Sequence, residues 1–317
     1  MNRIRFYWET FKETFKEWND SPAGKDSASL AYYAIFSIPG LLIIIIWIAG
    51  YFFGQEAIQG QISQQIGGLM GEKVSESVEE MIAGALIDKE NIFMKIVGIF
   101  SLVFGATTIF FQLQKSLNHL WDVEPAPRKA LIKFLLDRAN SLGMILVIGF
   151  LLMITMVLSS VISLFNNFIA SQFGLETYYL MELVNFLIGF VIVSLVFAFM
   201  FKVLPDAEIA WKSVWAGAIL TAILFTVGKF LLSYYFSEFK PESAFGQAGT
   251  IILIMMWINY SCMLIFFGAE FTKVYSRKKG YKIVPSKHAK WSLEKRYEEA
   301  LEEKHTDPSK TSSMEKI

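Results

Sequence analysis

Six long apolar stretches decide what this chain can become. They run roughly over residues 27–53, 92–114, 139–168, 178–204, 211–236 and 247–272. A bilayer's hydrocarbon core, about 30 Å thick, takes ~20 apolar residues in helical form. Irregular backbone cannot cross it, because lipid satisfies no backbone hydrogen bonds. Charged residues make up 18% of the chain, against about 25% in soluble domains, and they gather between the stretches. The expectation is an all-α integral membrane protein with six transmembrane helices over 26–280.

Basic residues orient it. With the N-terminus inside, inner segments carry Arg3, Arg5, Lys12, Lys16, Lys25, Lys115, Arg128, Lys129, Lys133, Arg138, Lys202, Lys212 and the run from Lys273 to Lys290. Outer segments carry Lys73, Lys89 and Lys240. Cytoplasmic loops are the ones enriched in Lys and Arg, so both termini are predicted to be cytoplasmic. Charges at Lys12, Glu13, Lys16 and Glu17 interrupt any signal-peptide core, so the first span is expected to insert and stay.

The connecting segments differ in kind. Residues 4–18 put Ile4, Tyr7, Trp8, Phe11, Phe15 and Trp18 on one helical face, with Lys12 and Lys16 opposite. This predicts an amphipathic interfacial helix within 1–25; a helix packed on the inner loops is the alternative. The outer loop 54–91 has Ile58, Ile62, Ile66, Val74, Val78, Met81 and Ile82 at helical spacing. Gly67, Gly68 and Gly71 divide it. It is expected to form a small helical extracytoplasmic cap between helices 1 and 2. Residues 281–317 read as a polar, partly disordered cytoplasmic tail with a short helix through Leu293, Tyr297 and Leu301.

Ionisable groups at membrane depth cost at least ~2.5 kcal/mol, so each needs a partner or a wet cavity. Glu270 follows a long apolar run and precedes Lys273 and Arg277. An ion pair with Lys273, or with a cation at the inner end of a neighbouring span, accounts for it. Asp26, Asn118, Arg138, Asn140 and Lys202 share its depth, which predicts an inner polar cluster. The alternative is a set of helix-end residues reaching water separately. In the outer third, Lys229 and Glu182 lie on consecutive antiparallel spans, as an ion pair or as the lining of an outward cavity with Asn185.

Pro39 and Gly40 interrupt the first span. Proline removes one intrahelical bond; such breaks bind substrate in some transporters and are plain kinks elsewhere. Small residues in "FGQAG", 245–249, permit close helix approach at the start of the sixth span. The single cysteine, Cys262, excludes an internal disulfide, and His119, His288 and His305 lack metal-ligand spacing. HExxH, GxSxG and P-loop motifs are absent from the sequence, which predicts a non-enzyme without cofactors and without a nucleic-acid partner.

Three segments, "DSASLAYYAIFSIPG" (26–40), "FFQLQKSLNHLWDV" (110–123) and "FGQAGTIILIMMWINYSCMLIFFGAEFT" (245–272), resemble the YihY/BrkB family of bacterial inner-membrane proteins, once labelled ribonuclease BN. The likeness covers about residues 10–280. Asp26, Ser37, Pro39, Asn118, Trp121, Phe245, Gly246, Trp257, Gly268 and Glu270 match its pattern. The resemblance implies a multi-pass protein of the bacterial cytoplasmic membrane with six spans. It also implies movement of lipids or other envelope components, with membrane lipids as partners. Further partners would be a second copy of the chain or envelope proteins. The residues themselves lend part of the support for transport or flipping of an amphiphile: polar groups sit at both faces and the midplane is nearly uncharged. A non-transporting envelope-assembly scaffold and a small-ion or solute exporter are the other readings.

Overall fold

A computed structural model describes residues 3–84, 92–126, 138–139, 141–147, 175–239, 249–287, 289–297 and 301. The chain begins with α1 (Arg3–Asp20) and the long α2 (Ala23–Phe53). Two shorter helices follow, α3 (Gln55–Met70) and α4 (Glu72–Gly84), and then α5 (Ile92–Leu120) and strand β1 (Val123–Pro125). Next come α6 (Leu175–Val203), β2 (Ala207–Glu208), α7 (Trp211–Phe239) and α8 (Gly249–Lys279). The chain then turns into β3 (Val284–Pro285) and β4 (Ala289–Trp291).

Four of these helices are long and apolar enough to cross a membrane: α2 over Ala23–Ile48, α6 over Phe186–Val203, α7 and α8. The expected second span coincides with α5, 29 residues long. The expected third span, 139–168, lies almost wholly outside the described residues; 141–147 are helical. In the bundle α2 lies against α5 and α8, and α7 lies against α6 and α8. α2 stays helical through Pro39. Ser37, buried two residues earlier, donates from Oγ to the Tyr33 carbonyl at 2.9 Å.

The segment after α2 is helical, as its apolar spacing predicts. Gly54 and Gly71 adopt φ of 87° and 96°, a left-handed backbone that glycine takes without a Cβ penalty. Their N–H groups close the preceding helices onto the Gly50 and Gly67 carbonyls. The expected break at Gly67–Gly68 does not occur, since α3 continues through both; only Gly71 takes the conformation that ends a helix. Ile58, Val74, Val78 and Ile82 are buried against Ile43, Ile46, Leu253, Ile254 and Trp257. The apolar stripe therefore docks α3 and α4 on one end of the bundle.

The opposite end carries α1 and the strands. Gly280, at φ 73°, turns the chain out of α8. β3 then pairs with β2, and β4 pairs with β1 in the register Val123↔Trp291, Glu124↔Lys290. Residues 284–285 and 289–291 are thus stitched to the segments that follow α6 and α5. Strands this short show no alternation from which sequence reasoning could find them.

α1 does not present one aromatic face. Phe6 meets Tyr275, while Phe11 and Trp18 meet Phe267 of α8. Trp8 and Phe15 are exposed, and Tyr7, exposed on one side, also stacks on Tyr275. Thr10 and Thr14 are fully buried, each donating to the carbonyl one turn back. Ion pairs from Glu13 and Glu17 to Arg277 fix this rotation of the helix. α1 therefore packs on α8 with one side and leaves an aromatic side free.

Candidate functional site

α5 ends beside the short connection between α6 and α7. Pro205 cannot continue α6, and Asp206 follows it. Asn118, in the last turn of α5, meets this residue twice. Its Nδ2 donates to Asp206 Oδ2 at 2.8 Å, and its Oδ1 accepts from the Asp206 N–H at 2.7 Å. Gln114, one turn earlier on the same face, donates from Nε2 to the same carboxylate oxygen at 3.4 Å. The Asp206 carbonyl accepts from the Ser286 N–H at 2.9 Å, which ties the tail to the site. Gln114 Oε1 is buried and has no hydrogen-bond partner.

These groups line a cavity of about 750 Å³. Lys115, His119, Glu124 and Glu294 contribute charge and polarity to it, and Tyr33 and Phe111 contribute aromatic wall. Residues 292–294 close one side. Glu124 is engaged by Lys290 at 3.9 Å across the β1–β4 pair. The aromatic wall continues outward. Tyr32 and Phe36 on α2 and Phe100 and Phe104 on α5 are all exposed, with Tyr32 packed edge-on against Tyr33 and Phe36. Arg138 stands over the Phe104 and Phe111 rings at 4.3 and 5.5 Å. It donates to Thr107 Oγ1 at 2.7 Å and to Thr108 Oγ1 at 3.3 Å.

A second group of charges joins α1 to α8. Glu270 is buried; Lys273 lies 3.8 Å from it and 3.3 Å from Asp122. Lys273 also donates to the Leu120 carbonyl at 2.9 Å. Glu17 lies beside Glu270. Arg277 bridges Glu13 and Glu17, and Lys278 reaches Glu13 at 2.8 Å. Burial pushes the Glu13 carboxyl up, but hydrogen bonds from Lys278 and Arg277 outweigh it and hold the group below its ordinary range. At Glu17 burial acts in the same direction. It is outweighed by the Arg277 hydrogen bond, with the Glu270 contact adding to it, so this group too lies below its ordinary range. Trp121, packed at the same level, donates from Nε1 to the Ala269 carbonyl at 3.2 Å.

The residues expected to form one inner cluster therefore take separate partners. Asn118 goes to Asp206, Glu270 to Lys273 and Glu17, and Arg138 to the threonines of α5. Lys202 donates to the Ile209 carbonyl at 2.6 Å. Asp26 is half-buried in the first turn of α2. The expectation grouped residues by depth alone, whereas helix rotation decides which of them meet. Asn140, Phe245 and Gly246 lie outside the described residues. Lys229 is half-buried with its ammonium 5.3 Å from the Phe230 ring; Glu182 and Asn185 are described in backbone only, so their expected pairing with it falls outside the described side chains. Trp257 is buried edge-on against Phe225. Gly268 faces Thr221 of α7 so closely that a Cβ there would overlap its hydroxyl.

Sequence reasoning missed Asp206 and Gln114. An aspartate in a short polar turn reads as solvated, and a glutamine at a helix end reads the same way. The one available signal was helical spacing, which puts Gln114 on the face of Asn118. Among the described residues no group of three or more His, Cys, Asp or Glu side chains stands where it could hold a metal ion.

Residues 14–292 match the family described as virulence factor BrkB. The UPF0761 membrane protein of Aggregatibacter aphrophilus (strain NJ8700) is 25% identical over 281 residues, 87% of this chain and 96% of the relative. A ribonuclease-like protein of Bacillus subtilis (strain 168), YfkH, is 24% identical over 275 residues, 84% of this chain and 95% of that protein. No solved structure matches the chain. With the family match covering most of its length, apolar spans and polar end alike, the chain belongs to the virulence factor BrkB family of membrane proteins.

Proposed function

We propose that this protein moves a lipid or another amphiphilic envelope component between the faces of a bacterial inner membrane. Six spans and two cytoplasmic termini are part of this reading, supported by the six apolar stretches and the uneven distribution of Lys and Arg. The observation that carries it is the polar cavity of about 750 Å³ beside an exposed strip of aromatic rings on α2 and α5. An amphiphile needs both at once: a wet pocket for its head and an apolar flank along which its chains stay in oil. A drug-sized ligand fills a pocket of roughly 300–1,000 Å³, so a single head group fits the space with water around it.

Purified protein in liposomes containing fluorescent lipid, quenched from outside by dithionite, tests the reading. Faster loss of inner-leaflet signal than in empty vesicles supports it. Transfer equal to that in empty vesicles for every envelope lipid overturns it.

A further inference from the structure

The cavity has two layers with different chemistry. Its floor centres on the Asp206 carboxylate. Gln114 and Asn118 each donate one amide N–H to Asp206 Oδ2, at 3.4 and 2.8 Å. What they leave is the Asp206 carboxylate, held in place from two sides, and Gln114 Oε1, buried with no donor to meet it. A buried acceptor without a partner costs about 1–3 kcal/mol, and native structures seldom leave one without reason. Gln114 Oε1 therefore lacks a donor, and next to a carboxylate the best donor is a cation.

The mouth differs. Lys115 and His119, one turn apart on the neighbouring stripe of α5, are both exposed and both line the cavity. Glu294 is exposed at the same rim, and Glu124 is engaged by Lys290. Tyr33 and Phe111 also line the cavity, and aromatic faces attract ammonium groups. A ligand that answers all of this has an ammonium at its inner end and an anion one short linker outward, beside Lys115 and His119.

We infer that the cavity between the end of α5, Asp206 and residues 292–294 is a recognition site for an amine-bearing phosphodiester head group, with the ammonium on Asp206 and Gln114 Oε1 and the phosphate beside Lys115 and His119. This rests on the transport reading for its source, since a lipid supplies such a head from the bilayer. The site selects for the amine: a head with the same phosphate but a glycerol in place of the ammonium leaves Gln114 Oε1 and Asp206 without a charged donor.

The test is binding, read apart from transport. The full chain in detergent is titrated with phosphatidylethanolamine, phosphatidylglycerol and N-acetylated phosphatidylethanolamine of matched acyl chains, and with glycerophosphoethanolamine, and bound species are counted by native mass spectrometry. The expected result is a preference of roughly tenfold for phosphatidylethanolamine over the other two lipids, the size of one charge-assisted hydrogen bond. Asp206→Asn and Gln114→Met should each erase the preference while keeping phosphatidylglycerol binding; if Asp206→Asn unfolds, Gln114→Met alone decides. Binding of the lipid without the free head group assigns a bilayer source, and equal binding of both assigns a soluble one; either supports recognition of the amine. Equal binding of the amine and glycerol lipids by the unaltered protein, or a preference that survives both substitutions, overturns it. Preference without transfer in vesicles overturns the transport reading only, and transfer without preference overturns this inference only.

Discussion

Thr221 of α7 fills the space that Gly268 of α8 leaves open, and the arrangement is reciprocal one turn away, where Thr272 of α8 fills the space left by Gly217 of α7. Each threonine donates to the carbonyl of the glycine on its own helix, Thr221 to Gly217 at 2.8 Å and Thr272 to Gly268 at 2.9 Å. Small residues are what let backbones approach in oil, where no hydrophobic force drives helices together. Gly228, which accommodates the Tyr260 ring, extends the same contact.

Gly268→Ala is expected to push the helices apart, because its Cβ would meet Thr221 in the backbone-close seam. Overpacking of this kind costs about 1–3 kcal/mol. Thermal unfolding in detergent should show a lower midpoint for Gly268→Ala and partial recovery in Gly268→Ala/Thr221→Ala. A single variant as stable as the parent would show that the seam is looser than described.

Asn118→Leu should destabilise the end of α5. It leaves the Asp206 N–H without its partner and removes one of the two side-chain donors to its carboxylate. A stranded buried polar group costs about 1–3 kcal/mol. Limited proteolysis should cut the α6–α7 connection sooner in this variant, while cleavage between α3 and α4 stays unchanged.

Acid should release α1. Glu13 and Glu17 both titrate below the ordinary carboxylate value of 4.5 because Arg277 and Lys278 stabilise their charged forms over the cost of burial. A carboxyl with a depressed folded pKa gives stability that is fully present above its unfolded value and is lost as pH falls through the folded one. Contact between α1 and α8 should thus hold at neutral pH and weaken below about pH 4.5. Fluorescence of Trp18, seated on Phe267, reports it, in a variant with the other tryptophans replaced by phenylalanine. Glu13→Gln/Glu17→Gln in that background should show the loosened signal at neutral pH already.

Trp121→Phe keeps the ring packed on Phe201 and removes the hydrogen bond to the Ala269 carbonyl. The expected loss is about 1 kcal/mol, read as a modest drop in unfolding midpoint. Trp121→Ala should cost about 3–5 kcal/mol, since it also empties a fully buried site.

The spans were legible because the bilayer leaves so little choice: a run such as 249–272 must be helical wherever it crosses. The helices after α2 were legible through Ile58, Val74, Val78 and Ile82, whose spacing matches a buried stripe. Rotation about each helix axis was not. Depth along the sequence put Asp26, Asn118, Arg138 and Glu270 at one level, but which of them meet depends on which way each helix faces, and the neighbours that set this lie far away in the chain. Asp206 shows the same limit. Its partners Asn118 and Gln114 are 88 and 92 residues distant, and its own surroundings, Leu204, Pro205 and Ala207, give no sign of them. α1 was half legible, since its six aromatic and apolar positions were visible while the salt bridges that turn Phe11 and Trp18, but not Trp8 and Phe15, toward α8 were not.

The two short strand pairs bear on how the molecule comes into being. β4 and residues 292–294, which close the cavity, follow α8 in the chain, so all the apolar helices precede the pocket's last wall. A chain stopped at residue 280 would carry every apolar stretch and still have an open, unfinished pocket. Insertion into the bilayer and completion of the site are in this way carried by different segments, and the second depends on a polar stretch that takes no part in the first.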